Sequence, residues 1–194
     1  MTVRRFTSRP RPSVSGLWYH GDASRRQTFD DQRMDRDAHL DKNAWGPGIY
    51  WTRDEGQARG YAWPSGYVYA ATVRTTRVLE DGAPVDPAKV GRFIDLAPAD
   101  SRETGLSNWH ENAAVARRRA VEGYCRSGRD LLDALLGVYN DFYGQDAGAF
   151  ARAMVRLGYD SCLHHLPEVD HLIVYDPRVI QVVREERYRG EGAS

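Results

Sequence analysis

Three short stretches of this chain carry side chains able to do chemistry where strands should begin or end. Tyr19-His20-Gly21 joins an imidazole, which can donate and accept, to a glycine that lets a ligand or another backbone come close. Gly46-Pro47-Gly48-Ile49-Tyr50-Trp51-Thr52 is followed, eleven positions beyond Tyr50, by Tyr61. A strand presenting Tyr50 and a helix presenting Tyr61 would set a phenol ring on either side of a planar group, and an aromatic heterocycle fits between such rings. Core packing alone would also gather aromatics there. Glu168-Val169-Asp170-His171 leads into Leu172-Ile173-Val174-Tyr175-Asp176-Pro177, so acids and an imidazole arrive at the start of a buried strand. Such rigid edges hold catalytic groups, although a solvated loop feeding a core strand would use the same residues. A fourth group, Arg117-Arg118-Arg119, is spread by helical geometry over different faces and reads as solvated.

These groups need elements to position them. Leu17-Trp18-Tyr19 is a short strand-forming run, with His20-Gly21-Asp22 expected to stop it in a loop. Residues 23–44 lack a sustained period and read as surface. The turn at Trp45-Gly46-Pro47-Gly48 releases the strand Ile49-Tyr50-Trp51. Thr52-Arg53-Asp54-Glu55 has the form of a capping box, predicting a helix over 53–62 that ends at Trp63-Pro64. Residues 67–73 are the clearest strand, with Arg77-Val78-Leu79 as its continuation after a break. Asp86-Pro87 opens a helical block over about 86–157, in which helices are expected at 112–125, 129–142 and 146–157. Gly158 closes it. Short strands are then expected at 161–163, 172–175 and 179–183.

Composition bounds the rest. The chain has 194 residues, 27 basic against 27 acidic, and 41% hydrophobic residues, which suits one domain with one good core. A balanced charge argues against a protein whose main work is neutralising a phosphate backbone. No run approaches the roughly 18 to 20 apolar residues needed to span a bilayer, so no membrane partner is expected. Residues 1–16 read as a flexible Arg- and Pro-rich arm without the apolar stretch of a secretory signal, which makes the expected location cytoplasmic. Residues 17–183 form the expected domain, and 184–194 a charged tail that frays. Cys125 and Cys162 lack paired zinc-ligand spacing, so no metal site is expected and both read as semi-buried free thiols.

The ordered set of Tyr19-His20-Gly21, Gly48-Ile49-Tyr50-Trp51-Thr52 with Tyr61, and Leu172-Ile173-Val174-Tyr175-Asp176-Pro177 resembles the ADP-ribosyltransferase superfamily. The closer likeness is to its diphtheria-toxin and poly(ADP-ribose) polymerase branch, in compact bacterial or phage form. The likeness runs over about 17–183, with little from the helical block. It implies an α+β fold with a split two-sheet β core that clamps NAD across a cleft. His20 would then bond the adenosine ribose, Gly21 would offer its backbone to the nicotinamide amide, and Tyr50 and Tyr61 would pack on the nicotinamide ring. Two phenols suit a flat cationic pyridinium through area and ring quadrupole.

Two positions depart from the family pattern. Ala58 stands where the polymerases carry a small hydroxyl residue, three positions before the second tyrosine, and His171 stands where the family places its catalytic glutamate. That carboxylate would bond the ribose 2-hydroxyl ever more strongly as positive charge develops on the sugar. Three arrangements stay open. Glu168 or Asp170 supplies the carboxylate, His171 itself holds the ribose or acts as base, or the domain binds NAD without turning it over. The expectation carried forward is a mono-ADP-ribosyltransferase that uses NAD as co-substrate and passes ADP-ribose to a macromolecular acceptor, protein or nucleic acid. The alternatives are an NAD glycohydrolase and a silent NAD- or ADP-ribose-binding module.

Overall fold

The strand-forming runs become a mixed sheet in a computed structural model that describes residues 14–29, 46–97, 109–142, 146–165 and 169–190. Among these residues the strands are β1 (Leu17–Asp22), β2 (Ile49–Thr52), β3 (Ser65–Val73), β4 (Val78–Glu80), β5 (Ser161–His165), β6 (Asp170–Val174) and β7 (Ile180–Arg189). The helices are α1 (Glu55–Tyr61), α2 (Ala88–Asp95), α3 (Trp109–Arg119), α4 (Gly128–Phe142) and α5 (Ala147–Arg156). The architecture is α+β, with the helical block inserted between β4 and β5.

The strands run in the order β4-β5-β6-β2-β1-β3-β7. β4 is parallel to β5 and the other neighbours are antiparallel. Two separate sheets are therefore not what forms, but the single sheet has a weak place. β1 is registered with β3 from Leu17↔Thr72 to Asp22↔Tyr67, and β2 with β6 from Ile49↔Val174 to Thr52↔His171. Between β1 and β2, by contrast, the register consists of Tyr19↔Thr52 alone among the described residues. Two well-laddered halves thus meet at a seam within one sheet, in place of the expected split into two sheets.

Alternation along the strands sends Trp18, Trp51 and Tyr69 into the core, where each is almost fully buried. α5 is buried nearly all round, from Ala147 to Ala151 and at Ala153 and Met154, as an apolar helix must be to lie inside a domain. Phe150 links it to Phe93 of α2 at 5.2 Å and to Tyr175, just past β6, at 6.0 Å. Cys125 and Cys162 are buried free thiols.

Several local expectations are corrected. His20-Gly21-Asp22 does not end β1, because β3 pairs each of them, with Tyr69, Val68 and Tyr67 respectively. Thr52 does not cap α1. Asp54 does so, its carboxylate accepting from the Gly56 and Gln57 amides, while Glu55 turns to Arg59 and Arg184 instead. A carboxylate nearer the first free amides outcompetes the hydroxyl two residues earlier. The strand at 78–80 does not extend β3 but pairs β5 at the far edge. The helix from 109 ends at Arg119 in a π-helical turn (Ala120–Tyr124), where Gly123 takes a φ of 97°. The charged stretch after 183 is not a frayed tail as far as Arg189, since β7 pairs β3 down to Ser65↔Arg189.

Two glycines of α4 separate packing from propensity. A Cβ at Gly128 would stand 1.9 Å from the Glu80 carbonyl oxygen, whereas one at Gly137 would meet nothing within 4 Å. We expect Gly128→Ala to lose about 1–3 kcal/mol in urea unfolding through backbone overlap, and Gly137→Ala to gain about 0.4–1 kcal/mol by restricting the unfolded chain.

Candidate functional site

The seam is built by residues on both faces of the sheet. His20 leaves β1 on the face of Trp51 and Tyr69, its ring 5.4 Å from Trp51, 5.5 Å from Phe29 and 6.2 Å from Tyr69. From there its Nδ1 reaches the Tyr50 carbonyl oxygen at 2.7 Å. A carbonyl only accepts, so Nδ1 carries the proton, and in the neutral ring Nε2 is the acceptor nitrogen. A side chain thus bridges β1 to β2 next to the point where their backbone register stops.

The opposite face carries the other candidates. α1 lies on it, with Ala58 and Ala62 packed against Tyr19 and Val68. A Cβ at Gly21 would stand 1.8 Å from the Ala58 carbonyl oxygen and 3.0 Å from Tyr61 Cβ. The absence of a side chain at 21 is therefore what lets the helix seat on the strand, and that seating brings Tyr61 alongside the Gly21 backbone. Tyr61 is 58% exposed. Tyr50 is half-buried, and its hydroxyl donates to the Gly46 carbonyl oxygen at 2.5 Å. The β2–β6 register places Tyr50 opposite Ile173 and Thr52 opposite His171, so Tyr50 and His171 share this face.

His171 faces α1 directly, with Nε2 3.1 Å from Gln57 Oε1. The amide oxygen accepts, so Nε2 carries the proton and Nδ1 is the acceptor. Burial holds this imidazole below its ordinary pKa, the neighbouring His164 adds to the effect, and Asp170 pulls the other way. The ring is neutral at pH 7.

Gly21, Tyr50, Tyr61 and His171 are thus brought together on one face, while the His20 ring lies on the other and joins them through the Tyr50 carbonyl. Asp170 is not at the seam. One residue before His171, it points to the opposite side, where its Oδ1 is 2.8 Å from His165 Nδ1 at an exposed edge. Its carboxylate therefore does not share a face with His171. Glu168 lies outside the described residues.

Four residues of this region escaped the sequence reading as site contributors. Gln57 sits in a helix whose start was misplaced, and the correct cap at Asp54 would have aimed it inward. His164 and Cys162 alternate on β5, a period-two signal hidden by placing that strand's end at 163. Asp81 reaches His164 from the turn after β4, a pairing only the sheet order reveals. Ala58, the departure noted above, is fully buried under Tyr19 and leaves no room at that point for a solvent-facing hydroxyl.

No family model matches the chain, and no curated protein matches it. Among solved structures, one titled as the crystal structure of an anti-CRISPR protein is 14% identical, with 91% of this chain and 97% of that chain covered, at a TM-score of 0.32. A likeness at that level carries no weight for fold or function.

The His171 environment has a pH consequence. A histidine whose folded pKa lies below its unfolded value of about 6.5 binds fewer protons when folded. Its contribution to stability is complete above that value and is lost as pH falls toward the folded pKa. We expect urea midpoints to drop less between pH 8 and pH 5 in His171→Gln than in the wild type. An equal drop would mean that the ring titrates like a solvated one.

Proposed function

We propose that the seam binds NAD and that the chain is a mono-ADP-ribosyltransferase. The observation that carries this reading is the junction of an open strand edge at Gly21, an exposed Tyr61 seated beside it, a pinned Tyr50 and a neutral imidazole at 171, all on one face. In this reading the nicotinamide lies against Tyr61 and Tyr50 with its amide at the Gly21 backbone. Area and ring quadrupole both favour a flat cation there. His20 acts from the opposite face, by holding the Tyr50 carbonyl in place.

The reacting bond joins the ribose C1 to the pyridinium nitrogen. It breaks with its electron pair going to that nitrogen, which releases neutral nicotinamide and leaves positive charge on the sugar. His171 Nδ1 accepts a hydrogen bond from the 2-hydroxyl while this charge grows, and a neutral ring does so without repelling it. A lone pair from the macromolecular acceptor then forms the new bond to C1, and its proton leaves to His171 or solvent. A neutral acceptor makes a bond roughly half as strong as a carboxylate would, so this chemistry is slow and transfers one unit rather than a polymer.

A second reading, a silent nucleotide-binding module, is favoured by one observation. Asp170 turns away, so among the described residues no carboxylate of β6 faces the seam. An NAD glycohydrolase would differ from the transferase only in using water as acceptor.

Three measurements separate these readings. NAD carrying label in its adenylate is incubated with the protein and a cell extract, and both nicotinamide and macromolecule-bound label are followed. The transferase produces both signals, the glycohydrolase only nicotinamide, and the silent module neither despite binding NAD by calorimetry. We expect Tyr61→Ala to lower kcat/KM about tenfold, the scale of one aromatic stacking contact, and His171→Glu to raise nicotinamide release about tenfold, the worth of an ionised over a neutral acceptor. No binding and no release in either wild type or His171→Glu would overturn the NAD reading.

A further inference from the structure

The helix α1 brings two side chains to the seam. Gln57 and Tyr61 are four residues apart, so they stand one above the other on the same helical face. Tyr61 lies beside the Gly21 backbone, and Gln57 Oε1 lies 3.1 Å from His171 Nε2, 114 residues further along the chain. The helix leaves little freedom in either placement. Asp54 fixes the first turn by accepting from the Gly56 and Gln57 amides, at 2.7 and 3.3 Å, and the buried Ala58 sets its carbonyl where a side chain at Gly21 would stand. The other side chains next to His171 are engaged elsewhere. Thr52, opposite on β2, accepts the Asp54 amide at 3.1 Å, His164, opposite on β5, turns Nε2 to Cys162 Sγ at 3.4 Å, and Asp170 on the same strand meets His165. Among the described residues, the side chain hydrogen-bonded to His171 is therefore Gln57.

We infer that Gln57 is a positioning residue for His171, its amide oxygen holding the ring in the Nε2–H tautomer and so leaving Nδ1 as the acceptor. A neutral imidazole has one donor and one acceptor nitrogen, and the bond made by one decides the character of the other. With the proton on Nδ1 instead, the same ring in the same place would present a donor, and its partial positive charge would face a sugar that is itself becoming positive. One helix thereby sets both the aromatic surface at Tyr61 and the acceptor at His171, so a displacement of α1 disturbs the two together. The tautomer lock stands on the hydrogen bond itself, and its consequence for turnover rests on the NAD reading.

Nitrogen-15 magnetic resonance of the ring shows which nitrogen carries the proton and needs no activity; His171→Gln assigns the signals. At pH 8 we expect a single tautomer in the wild type, with the proton on Nε2. Gln57→Leu keeps a good helix former but no acceptor. Its ring should divide between the two tautomers, with kcat for nicotinamide release about tenfold lower, the scale of one hydrogen bond, and KM for NAD unchanged. Gln57→Glu keeps an oxygen in the same place, so it should restore the single tautomer and make the ring bind its proton about tenfold more tightly, as an adjacent carboxylate does. Its turnover should recover at pH 9, where the ring is again uncharged. A wild-type ring protonated on Nδ1, an unchanged tautomer in Gln57→Leu, or a changed tautomer with unaltered turnover overturns the inference. Where the leucine variant unfolds, an unmoved His171 midpoint in Gln57→Glu has the same force. Tautomers as expected with no release in the wild type would remove the NAD reading and leave the lock, whereas release with an unchanged tautomer would do the reverse.

Discussion

The hydrogen bond from the His20 ring to the Tyr50 carbonyl does what the backbone ladder stops doing beside it. Where β1 and β2 part after Tyr19↔Thr52, a buried carbonyl at position 50 needs a donor, and leaving it unmade would cost on the order of 1–3 kcal/mol. The imidazole supplies it from the side, and Phe29, Trp51 and Tyr69 hold that ring in place. The sheet can therefore stay one sheet while its edges at Gly21 and Tyr50 remain unpaired with each other. A ladder continued through Gly21 would have closed the strand edge that lies beside the exposed Tyr61.

The second constraint is the seating of α1. Gly21 admits the Ala58 carbonyl and Asp54 fixes the first turn, so the helix starts and lands in one position. Gln57 then reaches His171 on one side and Tyr61 reaches the seam on the other. Arg184 of β7 meets Glu55 at 2.9 Å, and Arg59 meets the same carboxylate at 2.8 Å. These pairs are largely exposed and each is worth little alone. Their significance is topological, because they tie the outermost strand to the helix that shapes the site. Long-range pairing with β3 carries the strand itself.

Local patterns were the legible part. The spacing of Tyr50 and Tyr61, the glycine after His20 and the apolar run at 172–175 are all short-range features, and the elements they predict exist. What escaped depends on partners distant in sequence. Val182-Val183-Arg184-Glu185-Glu186-Arg187 has no buried face, so by pattern it resembles solvated tail, yet β3 supplies nine registered positions along β7. The strand at 78–80 is too short to announce its neighbour. At α1 the pattern pointed to Thr52, whereas Asp54, two residues on, reaches the free amides, and composition alone does not say which side chain will do so. His164 was missed for the simplest reason, a strand boundary drawn two residues early.

The choice between Asp170 and His171 shows how much a strand's period of two can decide. Adjacent on β6, the two side chains face opposite sides of the sheet, and one register step would exchange them. The register is not adjustable, because Leu172 and Val174 are buried on the Asp170 side and Ile173 on the other, and slipping by one would reverse every one of them. Core packing therefore imposes an imidazole on the seam, whatever a carboxylate there might have done. Under the proposed NAD chemistry, an imidazole in that place serves only while it is uncharged. Burial against α1 provides that condition. In the proposed reading, the burial that keeps His171 uncharged also removes its capacity to repel positive charge developing on a bound sugar.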